Sequence, residues 1–337
     1  MKPLLNVQNL KVWFPKEHNF FGKPISYVKA VDDVCFTLNQ GETLGIVGES
    51  GSGKSTTAYA SLRALTPTAG KILLSPDGKE EYDLAKMSPS ELRPLRRHMQ
   101  MVFQDPFSSL NPRMTVQQLI AEPLVVNNIG TPKDRTEKVK DLLNEVGLNQ
   151  NFLTRYPHAF SGGQRQRIVI ARALALNPKF IVCDEAVSAL DVSVQAQILN
   201  LMMELKERFN LSYLFIAHDL EVVRHIADRV AVMYAGRLVE AGTTQQVFEN
   251  PMHPYTESLL LASPRANPNR KRQRSPLKGE VPDPSNLPSG CVFHPRCPKC
   301  FDACKKQVPV ETHKDGCIVR CLLHEEVGQK QKTVTSA

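Results

Sequence analysis

Short apolar runs punctuate this chain between longer amphipathic and polar stretches. Leu44–Val47, Phe180–Cys183 and the apolar residues of YLFIAHDL, which ends around His218, each read as a short buried strand. Helical periodicity lies between them. From about Lys54 to Leu65 the chain reads as a helix, and Asp191–Phe209 carries apolar residues at Val194, Ile198, Leu201 and Leu205. A third helix with an apolar face follows Ser161 in FSGGQRQRIVIARAL. Strands feeding helices in this order predict an α/β fold. No sustained heptads appear, and no apolar run approaches the roughly 18 residues a membrane span requires. The start, MKPLLNVQNLKVWF, is broken by polar residues and lacks a secretory apolar core. The expectation is a cytoplasmic protein that meets any membrane through a partner.

Charge changes this picture little. The net +8 would suit a nucleic-acid binder, but residues 264–337 hold 14 of the 42 basic and only 7 of the 34 acidic residues. The rest of the chain is therefore close to neutral. Much of the excess lies in RANPNRKRQRSPLK, whose Pro, Asn and charge read as a solvated linker, with a lipid-headgroup contact as the other use. No nucleic-acid partner is expected.

Candidate chemistry is densest in ETLGIVGESGSGKSTT. Gly48, Glu49, Ser50, Gly51, Ser52, Gly53, Lys54 and Ser55 fit the P-loop pattern in full, and Thr56 continues into the helix. The glycines let the backbone curl so that successive N–H groups point at phosphate oxygens, and the helix start adds its positive dipole end. Lys54 can neutralise the β/γ-phosphates and the Ser55 hydroxyl can ligate Mg²⁺. A second element, KFIVCDEAVSALD, delivers Asp184 and Glu185 at the tip of an apolar strand. Asp184 suits the Mg²⁺ shell, and Glu185 is placed to orient or deprotonate the attacking water. These residues point to a nucleotide, bound with Mg²⁺.

Ser161, Gly162, Gly163 and Gln164 read physically as a capped, anion-binding helix start, far in sequence from the P-loop. With the motifs above, they resemble the signature of ATP-binding cassette (ABC) ATPases. That resemblance covers nearly the whole chain and implies a P-loop ATPase core, active as a head-to-tail pair in which each ATP lies between one P-loop and the partner's signature. It implies further roles: Gln104 for the Q-loop glutamine, which contacts Mg²⁺ and the attacking water, Asp191 within SALD for the D-loop, and His218 for the switch histidine that contacts the γ-phosphate. Tyr27 is the candidate for stacking on adenine, with Phe14 and Trp13 as alternatives.

LNPRMT, RYPHAFSGGQRQRI, SALDVSVQAQILNL, NPMHPYTESLL and the cysteine tail look like the ATPase subunits of dipeptide/oligopeptide importers, the second of the two such subunits. The resemblance implies ATP hydrolysis driving peptide uptake at the cytoplasmic face of the cell membrane. The partners it implies are a second ATPase subunit, two permease subunits and a periplasmic or surface binding protein. Importers of nickel or oligosaccharides, and non-transport cassettes acting on nucleic acid or ribosomes, are the rival readings. The expected division is an ATPase domain over 1–263 with a helical subdomain at about 88–176, a linker over 264–290 and a cysteine-rich region over 291–337. Ala186 stands where relatives usually carry Pro, which removes a φ restraint beside Glu185, and Ala159 stands where an acid usually precedes the signature.

Six of the eight cysteines fall in the last 47 residues. In a cytosolic setting such density suits a metal or cluster better than disulfides. Cys291, Cys297, Cys304 and Cys321 reproduce the C-x5-C-x6-C-x16-C spacing that the resemblance associates with a 4Fe–4S cluster. Zinc is the alternative, with the Cys297/Cys300 knuckle pairing with Cys317 and Cys321. Cys35 and Cys183 sit in apolar runs and read as buried small hydrophobes.

Overall fold

A computed structural model describes residues 2–262 and 279–325. The basic run at 265–278, expected as a linker, lies outside the described residues. Two long strands, β1 (Leu5–His18) and β2 (Pro24–Leu38), form an antiparallel hairpin. β3 (Thr43–Val47) leads into α1 (Lys54–Ser61), and β4 (Ala69–Leu74) and β5 (Tyr82–Asp83) follow. Then come α2 (Pro89–Leu95), β6 (Met99–Val102), α3 (Pro106–Ser109), α4 (Val116–Val126), α5 (Pro132–Glu145) and α6 (Gly162–Leu174). β7 (Phe180–Asp184), α7 (Val192–Phe209), β8 (Ser212–Ile216), α8 (Leu220–Ile226), β9 (Arg229–Tyr234) and β10 (Arg237–Thr243) continue the chain. α9 (Thr244–Glu249), α10 (Pro254–Ala262), β11 (Thr312–Lys314) and β12 (Cys317–Val319) complete it.

The strands make two sheets. One has the order β2-β1-β4-β5, the other β11-β12-β10-β9-β3-β8-β7-β6. In the larger sheet β6, β7, β8, β3 and β9 run parallel. Its central strands are apolar without alternation because both faces are covered. Ile181, Cys183, Tyr213 and Phe215 point into a core shared with α4–α7, while Phe180, Val182, Leu214 and Ile216 point into a second core with the smaller sheet and α1. The five-residue strands β3, β7 and β8 are buried along their whole length. Cys183 is the buried hydrophobe expected, whereas Cys35 is only partly buried and its sulfur accepts the Asn9 N–H.

Three features depart from the sequence reading. α1 stops at Ser61, short of Leu65, because Arg63 takes a left-handed φ of 56° and its Nε donates to the Leu84 carbonyl. Within the interval 88–176, β6 belongs to the large sheet, paired with β7; a four-residue strand flanked by short helices carries too weak a pattern to stand out. The cysteine-rich region does not stand apart from the ATPase domain. β12 pairs with β10 and β11 with β12, so that region extends the large sheet.

Candidate active site

β3 sits between β8 and β9 and delivers the P-loop at its C-terminal end, the edge of a parallel sheet where ligands bind. The loop is pressed against the backbone behind it. A Cβ on Gly48 would lie 2.2 Å from the Met233 carbonyl oxygen, and one on Gly53 would lie 2.3 Å from that of Ala30. No side chain fits at either place. Lys54 begins α1 and is 6% exposed; its Nζ donates to the Gly48 and Glu49 carbonyls at 2.8 and 2.9 Å. Burial holds its pKa below the ordinary lysine range, while Glu185, Asp184 and Glu49 oppose that shift.

Asp184 ends β7 and accepts from the Ser55 hydroxyl at 3.0 Å. Burial pushes its pKa up; hydrogen bonds from Tyr59 and Ser55 and the charge of Lys54 work the other way. The Tyr59 hydroxyl is itself pushed up to about 12, by burial first and by Asp184 second, so it stays a proton donor to the carboxylate. Tyr59 was not legible as a site residue. Its place in α1, one turn beyond Ser55, was the only available signal.

Glu185 turns the chain out of the strand with a left-handed φ of 48°. Such a conformation costs about 1–3 kcal/mol and persists where the surroundings over-determine it. They do so here. The Glu185 N–H donates to the Ile216 carbonyl at 2.9 Å, and its own carbonyl accepts from the Ser188 N–H and hydroxyl at 3.0 and 2.9 Å. Ala186 is buried beside it, so packing and these bonds supply the restraint that the absent Pro would give. The Glu185 carboxylate receives Gln104 Nε2 at 2.8 Å and has His218 Nδ1 at 3.3 Å. Three residues from separate strand ends thus meet on one carboxylate oxygen.

Ser161, Gly162, Gly163 and Gln164 lie elsewhere. Ser161 caps α6 in a reciprocal capping box with Gln164, and these residues make no hydrogen bond to the P-loop. The glycines serve packing: a Cβ on Gly163 would meet Val194 Cγ1 of α7 at 2.5 Å. Asp191 is the N-cap residue of α7 and is exposed. Tyr27 is 36% exposed and tilts against Trp13 at 6.1 Å, while Trp13 is overlain by Lys11 and Lys29. Trp13 is thereby occupied within the hairpin; Tyr27 and Phe14 present open faces.

At the other end of the chain, Cys291, Cys297, Cys304 and Cys321 line one small cavity with His253, Phe293 and Leu322. Cys300 and Cys317 are not on its wall. The Cys300 thiol donates to the Phe301 carbonyl at 3.7 Å. Cys317 is buried in β12 against Gly242 of β10, where a Cβ would lie 2.7 Å from its sulfur. The Cys297, Cys300, Cys317, Cys321 set considered for zinc is therefore not assembled, because strand pairing commits Cys317 to the sheet. Among the described residues no group of three or more His, Cys, Asp or Glu is arranged to hold a single metal ion. Burial raises the pKa of Cys291, and pushes Cys297 and Cys321 up to about 11, with each thiol's charge opposing the others.

A phosphate-cradling loop, a buried acid on the Ser55 hydroxyl and a second acid held by Gln104 and His218 define a P-loop ATPase. Comparison with known proteins sharpens this. Residues 31–188 match the ABC transporter family, and residues 239–304 match the oligopeptide/dipeptide transporter C-terminal region. The oligopeptide transport ATP-binding protein AppF of Bacillus subtilis is 53% identical over 91% of this chain and 92% of its own. The dipeptide transport ATP-binding protein DppF of Haemophilus influenzae is 50% identical over 95% and 96%. Among solved structures, a dimeric post-hydrolysis ATP-binding cassette bound to ADP and Pi aligns with a TM-score of 0.62 and 27% identity, over 71% of this chain and 98% of that one. The chain belongs to the ABC transporter ATP-binding proteins of the oligopeptide/dipeptide type. No helix among its described residues is long and apolar enough to cross a membrane.

Proposed function

We propose that this chain hydrolyses ATP to drive uptake of dipeptides or oligopeptides, docked on the cytoplasmic face of a cell membrane against two permease subunits. A second ATPase subunit would complete the nucleotide-binding pair, and a periplasmic or surface binding protein would supply the peptide. The observation that carries this reading is end-to-end similarity to peptide-transport ATPases that includes the C-terminal region. In this scheme residues 1–263 are the ATPase domain, 264–290 link it to the rest, and 291–337 form the cysteine-rich region.

The residues divide the work. Backbone amides from Gly48 to Thr56 and the Lys54 ammonium bind the phosphates. Ser55, Asp184 and Gln104 would hold Mg²⁺, which would supply charge neutralisation on the phosphates. Glu185 is the base for water, steadied by Gln104 and His218. Ser161–Gln164 face the partner's nucleotide, which explains why they lie apart from this chain's own P-loop; Asp191 lies at the same interface. Tyr27 stacks on adenine. Reconstituted with permease and binding protein in liposomes, the assembly is expected to hydrolyse ATP faster when the binding protein carries peptide. Equal rates with and without peptide would reject the transport reading.

The 4Fe–4S reading rests on the spacing of Cys291, Cys297, Cys304 and Cys321 and on their place along one cavity wall. Burial raises the pKa of Cys291, Cys297 and Cys321 on this wall, so ionising them together calls for a compensating cation. A single zinc would need its thiolates to converge within about 2.3 Å of one point, and among the described residues no group of three or more His, Cys, Asp or Glu is placed to hold a metal ion. A cluster distributes them over separate irons. Protein purified without oxygen is expected to be brown and to contain iron. A colourless, zinc-only protein would refute the assignment.

A further inference from the structure

Glu49 occupies a position where the P-loop pattern specifies no residue type, yet the structure holds it from three sides. Its carboxylate takes both arms of the Arg296 guanidinium, with NH1 and NH2 at 2.6 and 3.0 Å. Its N–H donates to the Tyr255 hydroxyl at 2.9 Å, and its carbonyl accepts from Lys54 Nζ. The Arg296 side chain is only 6% exposed, and its Nε has no partner. A buried guanidinium whose charge is met by one carboxylate cannot leave it cheaply.

Arg296 immediately precedes Cys297, and it is Cys297 that lies on the wall of the cysteine cavity. Its N–H donates to the Phe293 carbonyl, and Phe293 packs edge-on against Tyr234 and Tyr255 at 5.1 and 5.4 Å. Cys297 N–H reaches the His294 carbonyl in the next turn. The path from thiol cavity to phosphate loop is therefore one short turn, one bidentate ion pair and the Lys54 contact. We infer that Arg296 is a positioning residue through which the cysteine-rich region sets the conformation of the P-loop, and thereby the affinity for nucleotide. The same link works in reverse: nucleotide on the P-loop steadies the turn that carries Cys297, because coupling between two sites is reciprocal.

Equilibrium binding of Mg-ATP to the full-length chain tests this. Arg296→Gln is expected to weaken binding about tenfold, within the roughly 5–150-fold range of site-to-site coupling. Arg296→Lys, which keeps the charge but not the fork, should recover only part of the loss. The readout that a purely structural pair would not move is hydrogen exchange of residues 291–304. Mg-ATP is expected to slow it in the wild type and to leave it unchanged in Arg296→Gln. Wild-type affinity in Arg296→Gln would overturn the inference, as would nucleotide protection that persists in that variant. Should Arg296→Gln fail to fold, Glu49→Gln breaks the same pair from the loop side, and the same two results decide.

Discussion

Glu185→Gln is expected to lower ATP turnover by roughly 10²–10⁴-fold, the usual contribution of a positioned general base, while Mg-ATP still binds with wild-type affinity. The geometry separates the two effects. Gln is isosteric with Glu, and its side-chain oxygen can still accept from Gln104 Nε2 at the position now 2.8 Å away. The backbone at φ 48° is fixed by Ile216 and Ser188, not by the carboxylate, so the turn should survive the change. What disappears is the capacity to take a proton from water. Asp184→Asn supplies the contrast, because the Ser55-bonded carboxylate is the one proposed to hold Mg²⁺, and its loss should weaken Mg-ATP binding. Turnover measured in the assembled complex, beside binding to the isolated chain, checks both. An unchanged rate in Glu185→Gln would move the base elsewhere.

The site was legible where chemistry is carried by contiguous residues or by the end of an apolar strand. The P-loop needs a fixed run of types, and Asp184 and Glu185 follow a strand whose burial on both faces leaves an unmistakable apolar run. Contacts between distant segments were not legible. Glu49 and Arg296 stand 247 residues apart, and nothing in GESGSGKS or in CVFHPRCPKC marks one for the other. Arg296 was overshadowed by the cysteines around it. Choosing four of six cysteines by spacing also left Cys300 and Cys317 without a role. Strand pairing explains Cys317, because β12 had too few residues to show a period of two and so to reveal that this cysteine faces Gly242. For Ser161, pattern and physics agreed on a helix cap. The sequence could not show how closely Gly163 approaches Val194, which ties the signature helix to the helix after Asp191.

Lys54→Ala is expected to act on the step before hydrolysis. Truncating one partner of a buried, hydrogen-bonded charge pair costs about 2–5 kcal/mol, so Mg-ATP affinity should fall by roughly 30- to several-thousand-fold. A second consequence separates this variant from Glu185→Gln. Lys54 Nζ donates to the Gly48 and Glu49 carbonyls, and its charge offsets the repulsion between Asp184 and Glu185. Without it, those two carbonyls lose their donor at a cost of about 1–3 kcal/mol for each group left buried and unpaired. Asp184, whose pKa burial already raises, loses a neighbour that holds it down. The unfolding midpoint of the free chain should therefore drop in Lys54→Ala and stay near wild type in Glu185→Gln. Mg-ATP at one fixed concentration, chosen to saturate Glu185→Gln, should raise that variant's midpoint and raise that of Lys54→Ala by much less, since stabilisation grows with ligand concentration over Kd. Denaturant titrations of both variants, with and without Mg-ATP, check the pattern. Equal stabilisation of the two by nucleotide would show that Lys54 does not carry the phosphate contact.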